Sequence, residues 1–262
     1  MGIRPVIVLA GGAGARWAAT LESVLDGAGF ALEHHTTRQD YISGLVDAHA
    51  ALVIVDGDQP EWRDWVTTLK ANQATRRIPV VVVAEDGPAR REALSAGADF
   101  ALSPTELAGE LPPLLAEHAR VPDPAWSKQL DRQCREPLPP RAQEAIEQFN
   151  AGEYYRQHDL LEALWMEENS PVRDLYRAIL QVGIAYYQIT RGNHRGALKM
   201  LLRSVQWLAA LPDVCQGVDV KQLRADSARV RAALEAMAPG DIGTFDQRLL
   251  SPVRLIEPDA TR

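Results

Sequence analysis

The hydrophobic pattern of residues 1–120 alternates between short apolar runs and longer amphipathic segments. The runs 5–10, 51–55 and 79–84 are rich in β-branched residues and apolar on both faces, which is typical of strands in a parallel sheet covered by helices. Residues 100–103 indicate a further, fifth strand. Helices are predicted over 18–28, 41–48, 62–72, 89–96 and 106–119. Alternating strands and helices predict a doubly wound α/β domain with a five-stranded parallel sheet.

The second half shows only the helical period, so the chain is predicted to be α/β plus all-α. Its helices are predicted over 125–135, 140–149, 153–168, 172–190, 195–211 and 218–237. Prolines divide the chain. We expect an α/β domain over 1–120, a proline-rich linker with a short helix over 121–139, and a helical bundle over 140–238. In the break before 172–190, Ser170 is predicted to cap the helix that Pro171 begins. No prediction is made for the tail, 239–262.

Composition excludes several classes of function. The net charge is −7, with 28 Lys and Arg against 35 Asp and Glu, and neither half has the basic excess of a nucleic-acid-binding surface. No apolar run approaches the roughly 20 residues of a membrane-spanning helix. The two cysteines, Cys134 and Cys215, indicate no disulfide framework or zinc motif, which favours a reducing, cytoplasmic setting.

The centre of the first domain resembles the receiver domain of response regulators. The stretch LVIVDGDQPEWRDWVTTLKANQATRRIPVVVV places Asp56 at the end of the third strand, with Pro60 four residues later, and GADFALSP resembles the segment leading to the fifth strand. The likeness covers residues 4–120 and implies a flavodoxin-like fold, two-component signalling and Asp56 as the equivalent of the phosphoacceptor. Ligand sites in such sheets lie at the carboxyl ends of the strands, where Asp56 is expected.

Most of the residues that receivers use for phosphorylation are replaced. Receivers carry an acidic pair after the first strand, a Thr or Ser after the fourth and a Lys after the fifth. This chain has Ala10-Gly11-Gly12, Ala84 and Ser103 at these positions. Magnesium needs several oxygen ligands, and phosphoryl transfer needs neutralised charge; Asp56 and Asp58 supply too little. The sequence therefore predicts a pseudo-receiver, and a conventional regulator phosphorylated at Asp56 is the weaker alternative.

Two further features of the first domain admit more than one interpretation. The stretch VLAGGAGAR resembles the LAGGxGxR signature of sugar-nucleotide transferases, but the receiver-like pattern covers far more of the chain. Binding of a small anion at this turn stays open. Trp62 and Trp65 follow Asp56 on the next helix and are expected to pack inside, the alternative being a surface for a partner.

The helical half is similar to a family catalogued as domain of unknown function 309. The likeness spans roughly 140–210 of the helical stretch 140–237, and its most specific part is the HxxxExxW block of His158, Glu162 and Trp165. The other matching positions are Phe149-Asn150, Gly152-Glu153-Tyr154, Leu161, Arg173, Tyr176, Gln181, Arg191-Gly192-Asn193 and Gly196-Ala197. Members of this family have been labelled predicted metal-dependent hydrolases, and the resemblance implies that activity weakly.

His158 and Glu162 are four residues apart and are predicted to share the buried face of one helix. One interpretation is a structural polar cluster of His158, Glu162, Trp165, Arg173 and Gln181, because a buried imidazole or carboxylate needs partners. The alternative is a site for a divalent metal, in which His158 and Glu162 are ligands and Glu153 or His194 is a third. The cluster is the favoured interpretation.

The leading hypothesis is a regulatory protein that acts through contacts with a protein partner or a second copy, with homodimerisation as one form. No cofactor, nucleic acid or membrane is expected, and no catalytic residue is assigned. The alternative is an enzyme, a metal-dependent hydrolase with His158 and Glu162 at its centre.

Overall fold

The computed structural model describes residues 4–11 and 14–256. The chain divides into two compact units, Met1–Val121 and Pro122–Arg262, and each has its own hydrophobic core. None of the helices in the described part of the chain is both long and apolar enough to cross a membrane.

The first unit contains one parallel sheet of five strands. These are β1 (Val6–Ala10), β2 (Ala31–His35), β3 (Leu52–Asp56), β4 (Val80–Val83) and β5 (Phe100–Leu102). Their order across the sheet is β2-β1-β3-β4-β5, with every pair parallel. This is the flavodoxin-like, doubly wound arrangement, which confirms the predicted fold class. The pattern of apolar residues did not locate β2, because this edge strand contains Glu33, His34 and His35 and none of its residues is fully buried.

Helices cover both faces of the sheet. They are α1 (Ala18–Gly27), α2 (Tyr41–Asp47), α3 (Trp62–Ala71), α4 (Gly87–Ser95) and α5 (Leu107–His118). Buried residues of α2, α3 and α4 pack on one face, whereas those of α1 and α5 pack on the other. Alternate side chains of β3 enter the two layers, Val53 and Val55 on one side and Leu52 and Ile54 on the other. The central strand is apolar on both faces for this reason.

The second unit is built from helices around one enclosed helix. They are α6 (Pro124–Gln133), α7 (Pro140–Asn150), α8 (Tyr154–Glu167), α9 (Arg173–Thr190), α10 (His194–Ala210) and α11 (Val220–Glu235). Helix α9 packs against both α8 and α10, and eleven of its side chains or glycines are buried. At Gly183 a Cβ atom would lie 2.4 Å from Nε2 of Gln157 on α8. Any larger residue at this position would have to displace the Gln157 side chain, so glycine favours the close packing of α8 and α9.

The predicted linker and the tail both belong to the core of the second unit. Leu130 of α6, and Phe245 and Val253 near the end of the chain, are buried in that core. The Asn150 side chain donates to the Val253 carbonyl oxygen (2.9 Å) and accepts from its N–H (2.8 Å). The short helix predicted within the linker is α6, which begins at Pro124 and belongs to the second unit.

Cys134 and Cys215, in which the sequence indicates no disulfide framework, are paired in the structure. A disulfide joins them across 81 residues of sequence, and it ties the end of α6 to β6 (Val214–Cys215). Strand β6 pairs antiparallel with β7 (Val218–Asp219), and the Gln216 N–H between them donates to the Cys134 carbonyl oxygen (2.7 Å). Two cysteines so far apart in sequence give no pattern from which to predict this pairing. The inference of a reducing compartment therefore loses its premise.

We predict that replacing both cysteines with serine destabilises the second unit. The crosslink closes a loop of 81 residues, and its loss should lower the free energy of unfolding by about 2–4 kcal/mol. Thermal unfolding followed by calorimetry should show the second unit's transition lowered by on the order of 10 °C. The first unit has a separate core and serves as the internal control. An unchanged transition of the second unit would contradict the prediction.

Candidate functional site

Asp56 lies at the carboxyl end of β3, and its side chain is buried with both oxygens engaged. The residue is 2% exposed. Its Oδ1 accepts from the Asp58 N–H (3.1 Å) and its Oδ2 accepts from the Gln59 side-chain amide (3.0 Å). The Asp58 carboxylate in turn accepts from the Glu85 N–H (3.2 Å) after β4. Both acids at this strand end therefore organise the local backbone.

Aromatic residues fill the space beside the end of β1. Trp65 is 4% exposed, and its ring packs edge-on against Tyr41, with centroids 4.7 Å apart. Gly11 has a φ of +76°, and a Cβ atom there would lie 2.9 Å from the Trp65 Nε1. Trp62 is also buried, so the expectation that both indoles pack inside is confirmed.

The described residues around Asp56 do not fit the magnesium site that the receiver resemblance implies. Magnesium prefers near-octahedral coordination by oxygen. Ala10 and Gly11 bring no carboxylate, and the Trp65 indole packs directly against Gly11. The glycine-rich turn at which anion binding stays open includes Gly12 and Ala13. These two residues lie outside the described part of the chain.

Ser103, which stands where receivers carry Lys, helps to start a helix. The Glu106 carboxylate accepts from the Ser103 N–H (2.7 Å) and from its hydroxyl (2.9 Å). These two hydrogen bonds hold the pKa of Glu106 below its usual value, and they resemble one half of a capping box at the start of α5. Where a receiver carries a cationic group, this chain thus has a hydroxyl whose hydrogen bond closes the turn before α5.

In the second unit, His158 and Glu162 do not lie on the buried face of α8. The residues that are buried there are Gln157 and Leu161, so the predicted helix face is displaced by one residue, a rotation of about 100°. The His158 side chain is 27% exposed and its Nδ1 lies 3.2 Å from the Asp159 carboxylate. Glu162 is exposed. The prediction of a buried His–Glu pair is therefore wrong.

The remaining members of the predicted cluster are split between two places. Arg173 lies over the Trp165 ring, 5.6 Å from its centroid, whereas Gln181 is buried further along α9. Of the suggested third ligands, His194 places Nε2 2.7 Å from the Leu234 carbonyl oxygen, and Glu153 precedes α8 and is exposed. Within the described ranges no three His, Cys, Asp or Glu residues are grouped to hold a metal ion.

A cavity of about 710 Å³ lies in the second unit. Its walls are Trp126 and Gln129 of α6, the connection 167–171, and Arg173, Asp174 and Arg177 of α9. The sequence predicts that Ser170 caps α9, but no side-chain hydrogen bond caps this helix in the structure. The Ser170 hydroxyl accepts from the Gln133 side chain instead. The sequence pattern identified Arg173 but missed the cavity. The signal for the cavity in the sequence is weak. It consists of two arginines four residues apart, Arg173 and Arg177, that follow a polar break between helices.

The two arginines in the cavity are held by aromatic rings. The Arg177 guanidinium lies 4.6 Å from the ring centroid of Trp165 and 3.8 Å from that of Trp207. Such cation–π contacts fix the plane of the guanidinium. Trp165, predicted as part of a polar cluster, thus supports both Arg173 and Arg177.

The three carboxylates of the cavity differ in their surroundings. Glu167 accepts from Arg141 through both oxygens (3.0 Å each). Glu168 accepts from the Ser170 N–H (2.8 Å), and hydrogen bonds from Ser170 hold its pKa below the usual value. Burial raises the pKa of Asp174 to about 6, against the opposing effect of Arg177 and Arg173. Asp174 is therefore the carboxylate whose charge costs most in the folded state.

The fold and these sites define a two-unit protein, with a receiver-like α/β unit and a helical unit that contains a polar cavity. Residues 142–200 match the family described as domain of unknown function (DUF309). An uncharacterized protein of Aquifex aeolicus (strain VF5) is 26% identical over 100 residues, which are 38% of this chain and 30% of that protein. The chain therefore matches less than a third of the length of this relative.

Two solved structures resemble part of the chain. A candidate response regulator from Chloroflexus aurantiacus J-10-fl is 21% identical, with a TM-score of 0.37, and the match covers 44% of this chain and 100% of that one. A response regulator in red light signalling of R. palustris is 20% identical, with a TM-score of 0.35, covering 45% of this chain and 99% of that one. The strand order of the sheet, and not these likenesses, defines the fold.

We predict that Asp174→Asn stabilises the second unit at neutral pH. The folded state raises the pKa of Asp174 from 3.8 to about 6, so the ionised carboxylate destabilises the fold increasingly as the pH rises through that window. The gain should be about 1 kcal/mol after allowing for the solvent that still reaches the group. Denaturant unfolding at pH 4 and pH 7.5 measures it, and the gain should disappear at pH 4.

The exposed Asp131 on α6 offers a matched control. Asp131→Asn removes the same charge from the same unit and should leave the stability nearly unchanged at both pH values. A destabilising effect of Asp174→Asn at pH 7.5 would show that the carboxylate's attraction to Arg173 and Arg177 outweighs the cost of its burial.

Proposed function

We propose that this is a regulatory protein whose receiver-like unit works through protein contacts and without phosphoryl transfer. Its partner is another protein or a second copy of the chain, and the helical unit is the output module. Receiver domains ordinarily regulate a partner, and this chain would retain that role without the residues that receivers use for phosphorylation.

The observation that carries the proposal is the state of Asp56. A phosphoacceptor must expose one carboxylate oxygen to the phosphoryl donor and another to the metal ion. Here the side chain is buried, and both oxygens already accept hydrogen bonds from Asp58 and Gln59. Phosphorylation would break these contacts and bury additional negative charge, which costs several kcal/mol without a compensating cation.

The packing around Gly11 and Trp65 supports the same proposal. An acidic residue introduced at Gly11 would meet the indole of Trp65 at once, and a positive φ is unfavourable for any residue with a Cβ atom. Restoring a metal-binding acid there therefore requires the aromatic cluster to move. The surroundings of Asp56 favour a fixed structure over a switch that opens for an ion.

We predict that acetyl phosphate with magnesium leaves Asp56 unmodified, because the carboxylate is buried and lacks a cation to neutralise the transferred group. Intact-protein mass spectrometry under conditions that label a conventional receiver measures the outcome. After the same treatment, the mass of Asp56→Asn should be as unchanged as that of the original chain. In cells, Asp56→Asn should crosslink to the same protein partners as the original chain. Incorporation of phosphate that Asp56→Asn abolishes would overturn the proposal.

The hydrolase hypothesis stays a prediction and has a separate test. Because His158 is paired with Asp159 and Glu162 is exposed, we expect His158→Ala and Glu162→Ala to leave any hydrolysis of ester, amide and phosphate substrates unchanged. Elemental analysis of untagged protein should find no stoichiometric zinc, manganese or iron. The exposed Arg156 of α8 supplies a control, Arg156→Ala. Hydrolysis that depends on His158 but not on Arg156 would favour the enzyme.

A further inference from the structure

The cavity bounded by α6, the connection 167–171 and α9 has no part in the function proposed above. We infer that it binds a small organic anion, a phosphate or carboxylate carried on a flat ring. At about 710 Å³ the cavity is of the size that proteins use for small-molecule ligands. It lies in the helical unit, so such a ligand would act as an effector of the output module.

Arg173 supplies the charge that recognises the anion. Its guanidinium lies over Trp165, and the described chain offers it no hydrogen bond or close ion pair. The backbone N–H groups of Arg173 and Asp174 already donate to the carbonyl oxygens of Ser170 and Pro171. The start of α9 therefore contributes little by itself, and recognition of the anion falls to the arginine side chains.

Arg177 adds a second positive charge beside the first. It follows Arg173 by one helical turn, and both side chains line the cavity. Its guanidinium contacts the rings of both Trp165 and Trp207, so little side-chain entropy remains to be lost when a ligand binds. Two neighbouring guanidinium groups suit the several oxygens of a phosphate or carboxylate.

The carboxylates in the cavity do not cancel this charge equally. Glu167 is engaged by Arg141 and Glu168 by Ser170. Glu168 nevertheless keeps its charge, which interacts with Arg173, and Asp174 is the carboxylate whose charge interacts with both Arg173 and Arg177. An anion entering the cavity competes with Asp174 for the arginines. Removing the Asp174 charge should therefore strengthen the binding of an anion.

The remaining walls suit a flat ring with polar edges. Trp126, Gln129 and Asn169 also line the cavity. An indole face stacks on a planar ring, and amides donate to and accept from the edge of such a ring. The combination of arginines with an indole and two amides favours a ring-bearing anion over an inorganic ion.

Calorimetric titration of the full chain with three probes tests the inference. The probes are AMP, ribose 5-phosphate and adenosine, which carry the anion with the ring, the anion alone and the ring alone. We expect AMP to bind more tightly than ribose 5-phosphate, and adenosine more weakly than either. Absence of binding by AMP and ribose 5-phosphate at millimolar concentration would overturn the inference, as would adenosine binding as tightly as AMP.

Substitutions assign the binding to the cavity. Arg173→Gln, which retains part of the side-chain stem, should weaken AMP by about tenfold or more, the usual effect of losing a charged hydrogen bond. Trp126→Leu should reduce AMP to the level of ribose 5-phosphate, and Asp174→Asn should tighten AMP severalfold. Arg156→Ala, outside the cavity, should bind as the original chain does. AMP binding that Arg173→Gln leaves intact would refute this site, whatever the outcome at Asp56.

Discussion

Each unit is organised around one enclosed element, and enclosure limits which polar groups that element can carry. Strand β3 is covered on both faces, and α9 is surrounded by its neighbours along most of its length. Polar groups in such positions need partners close by, because water cannot supply them. Asp56 meets this requirement at the end of β3 with two donors from the next turn, and Tyr176 of α9 donates to the Gln216 side chain (3.0 Å).

The same enclosure explains which elements the sequence could predict. Strands buried on both faces read as unbroken apolar runs, so β1, β3 and β4 were located within a residue or two, as was the apolar helix α9. Edge strand β2 alternates with polar residues and left no such run. On α8 the apolar positions are too few to define which face of the helix is buried. The prediction relied on the His158–Glu162 spacing instead, and it placed the buried face one residue away from Gln157 and Leu161.

The cavity and the disulfide depend on residues that no local pattern connects. The cavity brings α6 against residues about forty positions later in the chain, and Cys134 meets Cys215 across 81 residues. The predicted cluster grouped Arg173 with Trp165 of the preceding helix, but it did not show what else surrounds them. The contact between Trp207 and Arg177 depends on how helices pack against each other. The angles at which helices pack cannot be predicted from the sequence of one segment alone.

The replacement of the receiver's acids and the aromatic packing beside Asp56 are two aspects of one change. Acidic residues near a buried aspartate repel it unless a cation is present, so a chain that no longer binds the cation gains stability by losing them. Once Gly11 stands there, the space can admit the Trp65 indole, whose burial is favourable by a few kcal/mol. A carboxylate at Gly11 would have to displace the indole. For this reason the proposed function assigns no role to phosphorylation and relies on contacts at the surface.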